Sequence, residues 1–573
     1  MPVRPSKRRW TGLACLAAAL VILLPGGASA QVQVRLNTVG YLPQAAKAAS
    51  VRAAGGEAFQ VIRLPAGEVV LEGTLPAPRT NEDTGEQLAV CDFTPVSAPG
   101  FYRIEAAGLG ASPPFQVAAD VYRAPFRTVM RGMYLWRCGV AVSSEHDGHT
   151  FAHAACHLED AYRDFIGGGH ERLACTGGWH DAGDYNKYVV NSGVTVGVMF
   201  RAWEDFQTRI DRVPIDLPDR PAGLPEFLAE MKFQLDWLLT MQADDGSVYH
   251  KVSTKRFGGM TLPELETTDR FVVPWGSNAT ADFVAMTAAA SRHFRPYDAA
   301  YAARCLEAAR RSYEFLAAHP ESHRADQDGF STGGYDTDDW DDRLWAEAEL
   351  WAATGDATVL AALESRLRAA ASPSPRPERR RGRGRGQGPS ASVDADFDWG
   401  NVKNLGLLAY LRSAHPGRDE ALVEQIRTSL VAAADSIVQN AANHGYARTL
   451  GRRYAWGGNG TIARQAVMLE AAARVTGQTQ YRAAMLDGLN HLLGRNVYGR
   501  SFVTGVGANP PMHPHDRRSA GDDVEPPWPG YLVGGPHPRA TDWHDDQGDY
   551  RTNEIAINWN GALVYALASQ LPE

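Results

Sequence analysis

Residues 177–188 read Gly177-Gly178-Trp179-His180-Asp181-Ala182-Gly183-Asp184-Tyr185-Asn186-Lys187-Tyr188, and an apolar run from Val189 to Phe200 follows directly. Two carboxylates three residues apart, separated by Ala and Gly and flanked by aromatic rings, stand at the entrance of a predicted helix. At i and i+3 they share one face of a first helical turn, and the glycines let backbone approach a ligand closely. Asp181 and Asp184 can therefore point into one cleft. Read alone, the stretch serves equally well as a helix cap whose acids complement the positive end of the helix dipole. The rest of the chain decides between the two.

Outward from this stretch the apolar spacing is helical in both directions. Phe227, Leu228, Met231, Leu235, Leu238 and Leu239 follow Pro225 with the spacing of a buried stripe, and Pro is favoured at a helix start. Further runs are expected from near Ala281, Ala299, Asp341, Val359, Asn401, Glu420, Ile462, Tyr481 and Asn553. With those near Tyr122 and Lys187 they make about twelve, without strands between them, which pair as αα-hairpins. No sequence period links the hairpins, so a regular solenoid is disfavoured and a closed double ring is consistent.

Upstream of Tyr122 the pattern is different. Short alternating runs, among them Val32–Leu36, Phe59–Val61, Leu88–Phe93 and Phe101–Ile104, are separated by turn residues, so 31–118 is expected to be a small all-β sandwich of immunoglobulin-like size. Residues 1–30 have the form of a secretory signal: Arg4, Lys7, Arg8 and Arg9 precede the apolar Leu13–Leu24 and an Ala28-Ser29-Ala30 cleavage site. Export to the periplasm or the medium is expected. Later segments fall short of the roughly 18 apolar residues that a membrane helix needs, so no membrane association is expected after processing. The formal net charge of −9 argues against nucleic acid as a partner, and fourteen Trp with twenty Tyr offer flat faces suited to sugar rings. Cys15 lies in the signal. The remaining Cys91, Cys138, Cys156, Cys175 and Cys305 are an odd set and do not form a disulfide framework. Residues 372–392 carry Ser-Pro-Ser-Pro and alternating Arg and Gly, a composition that cannot bury a core and predicts a disordered surface insertion within 119–573.

A second acidic cluster lies near the other end, Trp543-His544-Asp545-Asp546-Gln547-Gly548-Asp549-Tyr550-Arg551-Thr552-Asn553-Glu554, again where a loop enters a predicted helix. Glu554 alone reads as a first-turn acid complementing the helix dipole. Paired with the aspartates it reads differently. Two carboxyls, distant in sequence and placed at two loop-to-helix junctions, are what glycoside hydrolysis requires: one protonates the leaving oxygen and the other acts on water or on the sugar.

Three motifs carry a family resemblance. Residues 543–560, with Trp543, Asp545, Tyr550, Glu554, Ala556 and Asn560, resemble the C-terminal signature of glycoside hydrolase family 9. Residues 502–517, ending Met512-His513-Pro514-His515-Asp516-Arg517, resemble its other signature, and 178–188 its aspartate motif. The segment Asn37-Thr38-Val39-Gly40-Tyr41-Leu42-Pro43 is similar to the opening of the immunoglobulin-like domain that precedes many bacterial members. The resemblance implies a mainly α protein, an (α/α)6 barrel over 119–573 behind the sandwich. It also implies a monomeric, inverting hydrolase of β-1,4-glucans, polymeric or oligomeric. By motif position Asp184 is the base that activates water, Asp181 its partner and Glu554 the general acid. His515, Arg517 and Asp545 belong to the sugar-binding set, while Tyr454, Trp456 and Trp275 are candidates for stacking on glucosyl rings or, equally, for core aromatics. The competing readings are an exo-acting cellodextrinase or β-glucosidase, a glucan-binding protein without catalysis, and a zinc hydrolase.

Cys138, the adjacent Cys156-His157 and His180 supply two thiolates and two imidazoles, a set that closes a tetrahedral zinc site with no open position. They resemble the zinc site of the immunoglobulin-bearing bacterial branch of the family. The alternative is a Cys138–Cys156 disulfide with two solvated histidines. The acids between Asp336 and Asp342 offer hard oxygen donors where family members often hold calcium, with Asp342 the best single candidate. Arg343 replaces the acid common there in the family, and a helix cap with a solvated acidic face remains the other reading.

Overall fold

The computed structural model describes residues 33–371 and 390–573. The expected signal at 1–30 lies outside them, as does the expected insertion except for its last three residues. Of those three, Ala391 is only 1% exposed, and just beyond them Val393 N donates to Ser429 Oγ at 3.0 Å, so the expected surface insertion is packed at its end.

Between Val34 and Val117 ten strands form two sheets, and three of the four named runs extend to seven residues: Ala58–Leu64, Glu86–Asp92 and Gly100–Ala106. One sheet runs, in spatial order, Val34–Arg35, Ala48–Arg52, Glu86–Asp92, Arg79–Asn81. The other runs Gly40–Tyr41, Phe115–Val117, Gly100–Ala106, Ala58–Leu64, Glu68–Thr74, with Gly110–Ala111 beside Gly100–Ala106. Alternation buries Tyr102, Ile104 and Ala106 while Phe101 faces out, the period-two signature of a sheet with one wet face. Tyr41 meets Phe93 and Phe115 edge-on at 5.1 and 5.6 Å between the sheets, and Cys91 sits there as a free thiol.

The helices are α1 (Arg123–Leu135), α2 (Val189–Ile210), α3 (Glu226–Thr240), α4 (Ser277–Phe294), α5 (Ala299–Ala318), α6 (Trp340–Thr354), α7 (Ala357–Ala371), α8 (Lys403–Arg412), α9 (Glu420–Ala442), α10 (Gly458–Thr476), α11 (Gln480–Leu492), α12 (Arg517–Gly521), α13 (Tyr550–Asn553) and α14 (Ile557–Ala568). Apart from the short α12 and α13, each starts within a few residues of its expected position. Sequence explains which helices lie inside. α14 is buried at every position, α2 throughout Val189–Trp203 and α10 throughout Gly458–Ala473, whereas α9 buries a single stripe through Leu422, Ile426, Leu430, Ala433 and Ile437. A helix apolar all round needs neighbours on every side; one with a stripe packs on one face. α2, α4, α6, α8, α10 and α14 accordingly form an inner ring. α14 packs on both α2 and α10, and Asn404 Nδ2 of α8 reaches Met468 Sδ of α10 at 3.6 Å, which closes the circle. The fold is an (α/α)6 barrel behind a β-sandwich.

Two expectations need correction. Strands do interrupt the helices: a hairpin at Val142–His146 and His149–His153, and a three-stranded sheet of Lys187–Tyr188, Tyr249–Ser253 and Phe271–Trp275. Their apolar runs are too short to stand out from loop, and pairing partners far apart in sequence supply their hydrogen bonds. Nor do Asp181 and Asp184 form a first helical turn. They lie on an irregular turn ahead of strand Lys187–Tyr188, and α2 starts only at Val189.

The sandwich is bonded directly to the barrel. Asn37 Nδ2 donates to Tyr122 OH and to Asn490 Oδ1, both at 3.0 Å, and Thr38 N to Leu493 O at 2.9 Å. Ser50 Oγ donates to Gly445 O at 2.7 Å and accepts from Arg495 Nε at 3.0 Å.

Candidate active site

Three segments distant in sequence are joined through their backbones at one end of the barrel. Ala182 and Ala556 form an antiparallel bridge, Ile557 N donates to Asp181 O at 2.9 Å, and His515 pairs with Glu554 in a parallel bridge. Arg517 N donates to Gly183 O at 3.2 Å. Gly183 is required by this approach: a Cβ there would stand 2.1 Å from His515 O. The turn carrying Asp181 and Asp184, the loop 512–517 and the lead into α14 are thereby one unit.

Neither capping reading holds. α2 and α14 have no acid in their first turns, and their N-cap residues Tyr188 and Ala556 make no side-chain cap bond. The carboxyls instead meet distinct surroundings. Asp184 Oδ2 accepts from Asn186 Nδ2 at 2.6 Å, Asn186 N at 3.3 Å and Tyr188 OH at 3.4 Å. Asp181 accepts from Asn191 Nδ2 at 2.7 Å and Tyr335 OH at 2.8 Å. Tyr335 is a non-glycine residue at φ 44°, in the left-handed region, held there with its carbonyl bonded by Asn278 Nδ2 at 3.0 Å. Such backbone strain persists where surrounding structure over-determines it, often at functional sites. Glu554 has no hydrogen bond to its carboxyl among the described residues.

Burial dominates all three titrations. It pushes Asp181 up to about 8, with the Asp184 charge adding to it and the bonds from Asn191 and Tyr335 opposing. Asp184 also goes up through burial, against Arg517 and the two bonds from Asn186. Glu554 goes well up through burial and the charges of Asp184 and Asp181, with Arg517 alone opposing. All three carboxyls are thus biased toward their protonated forms, Asp184 against several opposing partners and Glu554 against Arg517 alone.

The other expected residues are placed as follows. His515 Nδ1 lies 2.6 Å from Gln547 O, and its ring is 6.0 Å from that of Tyr550. Trp456, 47% exposed, has its ring 5.6 Å from the exposed Tyr550, so the two make an open aromatic rim. Tyr454 is held differently: its hydroxyl donates to Asp83 of the sandwich, and the Arg448 guanidinium covers its ring at 4.1 Å. Asp545 binds its own loop, accepting from Met512 N at 2.9 Å, His513 N at 2.9 Å and Arg500 Nη2 at 2.7 Å. Trp275 stacks on His323 at 3.9 Å and meets Phe315 edge-on at 4.9 Å, beside α5. Residues that sequence reading passed over are Asn186, Tyr188, Asn191, Tyr335 and Glu266. The first three adjoin the aspartate motif, where polar side chains in an apolar run could have flagged them; Tyr335 and Glu266 carry no local signal.

Cys138 Sγ, Cys156 Sγ and one ring nitrogen each of His157 and His180 lie within 4.8 Å of one another, and both cysteines are free and buried. His157 Nδ1 is 3.6 Å from Cys138 Sγ, and His180 Nε2 is 3.7 Å from Cys156 Sγ. Burial raises both thiols, but at Cys138 the bond from Cys156 with the charges of Lys187 and His180 outweighs it, favouring thiolate. His157 Nε2 reaches Glu266 Oε2 at 3.3 Å, leaving Nδ1 to face the sulfurs. Two thiols, two imidazoles and a carboxylate behind one imidazole fit a closed zinc site. A disulfide reading does not fit.

The acids considered for calcium are divided among several partners. Asp339 pairs with Arg343 at 2.7 Å, Asp336 and Asp338 with Arg324 at 3.0 and 3.1 Å, and Asp341 accepts from Val402 N at 2.7 Å. Asp342 points inward beside Asp282, and no oxygen of either has a hydrogen-bond partner among the described residues. Both acids are pushed well up, chiefly by burial. Asp341, itself pushed up to about 7 chiefly by burial, adds its charge to both.

Comparison with known proteins bears on the whole chain. Residues 122–567 match the model of glycosyl hydrolase family 9, and 29–111 that of the cellulase N-terminal ig-like domain. Endoglucanase D of Acetivibrio thermocellus is 50% identical over 539 residues, 94% of this chain and 83% of the relative. The crystal structure of a metagenome-derived glycoside hydrolase family 9 endoglucanase superposes with a TM-score of 0.85 at 33% identity, covering 94% of this chain and 99% of that one. A Zn-binding triple mutant of the family 9 endoglucanase J30 superposes at 0.83 with 32% identity, covering 92% and 99%.

Proposed function

Since the chain belongs to glycoside hydrolase family 9, we propose that it is a secreted endo-β-1,4-glucanase that cleaves with inversion, using Glu554 as acid, Asp184 as base and Asp181 to hold the water. The observation that carries these roles is the unequal solvation of the carboxyls. Asp184 accepts three hydrogen bonds and lies in the field of Arg517, and the Asn186 bonds and the Arg517 charge limit the rise that burial imposes on it. Glu554 is given no donor among the described residues and faces two aspartates, which keeps its proton on. Such a difference between neighbouring carboxyls supports Glu554 as the acid and Asp184 as the base.

The reaction follows. Glu554 gives its proton to the glycosidic oxygen as the bond from that oxygen to the anomeric carbon breaks. On the opposite face Asp184 takes a proton from a water whose oxygen bonds to the same carbon, and the new hydroxyl has inverted configuration. Asp181, held by Asn191 and Tyr335, fixes the water's second hydrogen. His515, Arg517 and the Trp456–Tyr550 rim receive the glucan. Cys138, Cys156, His157 and His180 would hold zinc, and with all four ligands from the protein the ion would tie together the turn ahead of Asp181. The basic, apolar and Ala-Ser-Ala order of residues 1–30 supports secretion. No helix among the described residues is long and apolar enough to cross a membrane.

The test combines stereochemistry with two substitutions. NMR of early hydrolysis of a soluble β-glucan should show the α-anomer first, and product lengths should be mixed, as expected of internal cleavage. Asp184→Asn should lower turnover by about 100- to 10,000-fold on every substrate, while Glu554→Gln should spare aryl glycosides whose leaving group needs little protonation. Initial release of the β-anomer, or equal losses for both variants on aryl glycosides, would overturn the assignment.

A further inference from the structure

Glu266 stands between the Cys/His cluster and the carboxylate cleft. Its side chain is 4% exposed, at the end of a short 3-10 turn, Pro263–Leu265. One oxygen lies 3.3 Å from His157 Nε2 and the other 3.4 Å from Arg517 Nη1. The backbone of the preceding loop is pressed against it: a Cβ on Gly258 would stand 2.4 Å from Glu266 Oε1 and 3.9 Å from Arg517 Nη1. Arg517 is itself buried, anchored through its backbone on Gly183, with its guanidinium over the rings of Tyr185 at 5.6 Å and Phe257 at 5.8 Å.

The position poses an electrostatic problem. A buried guanidinium beside Asp184 and Glu554 will pair with one of them unless another anion holds it, and a clamped carboxylate can neither take nor give a proton. Glu266 is that anion. Its two oxygens divide between His157 Nε2 and Arg517 Nη1, so the guanidinium has a carboxylate partner outside the Asp184 and Glu554 pair. A carboxylate behind a metal-binding histidine ordinarily orients that ring alone. Here its second oxygen faces the reaction centre.

We propose that Glu266 is a positioning residue that couples the Cys138/Cys156/His157/His180 cluster to the reaction, by holding the Arg517 guanidinium off Asp184 and Glu554 so that it stays free for the sugar. The proposal rests on the acid and base roles assigned above. It implies that loss of zinc acts on catalysis through His157, Glu266 and Arg517 as well as through the turn at His180.

The experiment is a double-substitution cycle with Glu266→Gln and Arg517→Gln in the full-length, zinc-loaded protein. Zinc content is read by elemental analysis and the pH profile of kcat/KM on a soluble cello-oligosaccharide. The charged groups facing Glu554 are Asp184, Asp181 and Arg517, and Glu266 is not among them. Glu266→Gln should therefore retain zinc, reduce kcat/KM by about 10- to 100-fold, and move the alkaline limb to lower pH as the released guanidinium approaches Glu554. In the Arg517→Gln background the same substitution should leave that limb in place. A limb that Glu266→Gln does not move, or moves equally in both backgrounds, overturns the proposal; so does loss of zinc with an unmoved limb. If Gln prevents folding, Glu266→Asp keeps the charge, withdraws it by one methylene and should give a smaller shift of the same sign. Failure of the unsubstituted protein to cleave β-glucan would instead count against the catalytic reading.

Discussion

Asp184 and Glu554 are chemically alike and share one cleft, yet their surroundings differ in the way that the proposed base and acid roles require. Asp184 meets Asn186, Tyr188 and the field of Arg517; Glu554 meets two like charges. The sign of the Arg517 effect is testable. Its positive charge lowers both carboxyls, so Arg517→Gln lets both rise, and each then binds its proton to higher pH. Both limbs of the pH profile of kcat/KM, the acid limb set by Asp184 and the alkaline limb by Glu554, should move toward higher pH. Steady-state kinetics across the pH range measures this, and an unmoved bell would place the guanidinium's influence elsewhere. The motif showed where Asp181, Asp184 and Glu554 lie along the chain. It could not show their hydrogen bonds, because Tyr335 reaches Asp181 from 154 residues away.

At the scale of elements, the turn 177–186 has no regular structure to hold it. Cross-chain bonds do so: His180 N to Trp136 O at 2.8 Å, Cys138 N to Gly178 O at 2.7 Å, and Lys187 Nζ to Gly177 O at 2.9 Å. The Cys/His cluster ties the same turn to the segments at 138 and 156. His180→Ala should thus release the metal, lower Tm by several degrees and reduce turnover by disordering Asp181 and Asp184. Elemental analysis and thermal melts check this; unsubstituted protein with no zinc, or with an oxidised Cys138–Cys156 pair, would remove the idea. The sandwich makes a comparable contribution to another loop. Asp83 binds His444 at 3.1 Å and receives the Tyr454 hydroxyl, bonds that outweigh burial and bring its carboxyl down to about 2. An aromatic expected to stack on sugar is in this way part of the seam between sandwich and barrel, two residues before the exposed Trp456.

At the scale of the whole molecule, residues 372–389 lie in sequence between α7 and Ser390. Replacing it with a short Gly/Ser linker should change Tm by no more than about 2 °C and leave turnover on soluble glucan intact, since loop closure depends only weakly on length. A large loss in either would mean that the arginines pack or bind something essential; the replacement should stop before Ala391, which is buried. What sequence alone determined is the part of the architecture encoded locally. Helical periodicity marked the twelve long helices, alternation marked the sandwich, and the motifs marked three carboxyls and the Cys/His set proposed for zinc, because each signal is local in the chain. Only the tertiary structure decided how those windows meet. It separated the acids around Asp342 by pairing them with Arg324 and Arg343, turned Asp545 inward on its own loop, showed that the aspartates precede α2 instead of opening it, and set Glu266 between two sites. The physical reason is the same throughout. A side chain's charge state and task follow from the partners that burial forces upon it, and those partners lie tens to hundreds of residues away.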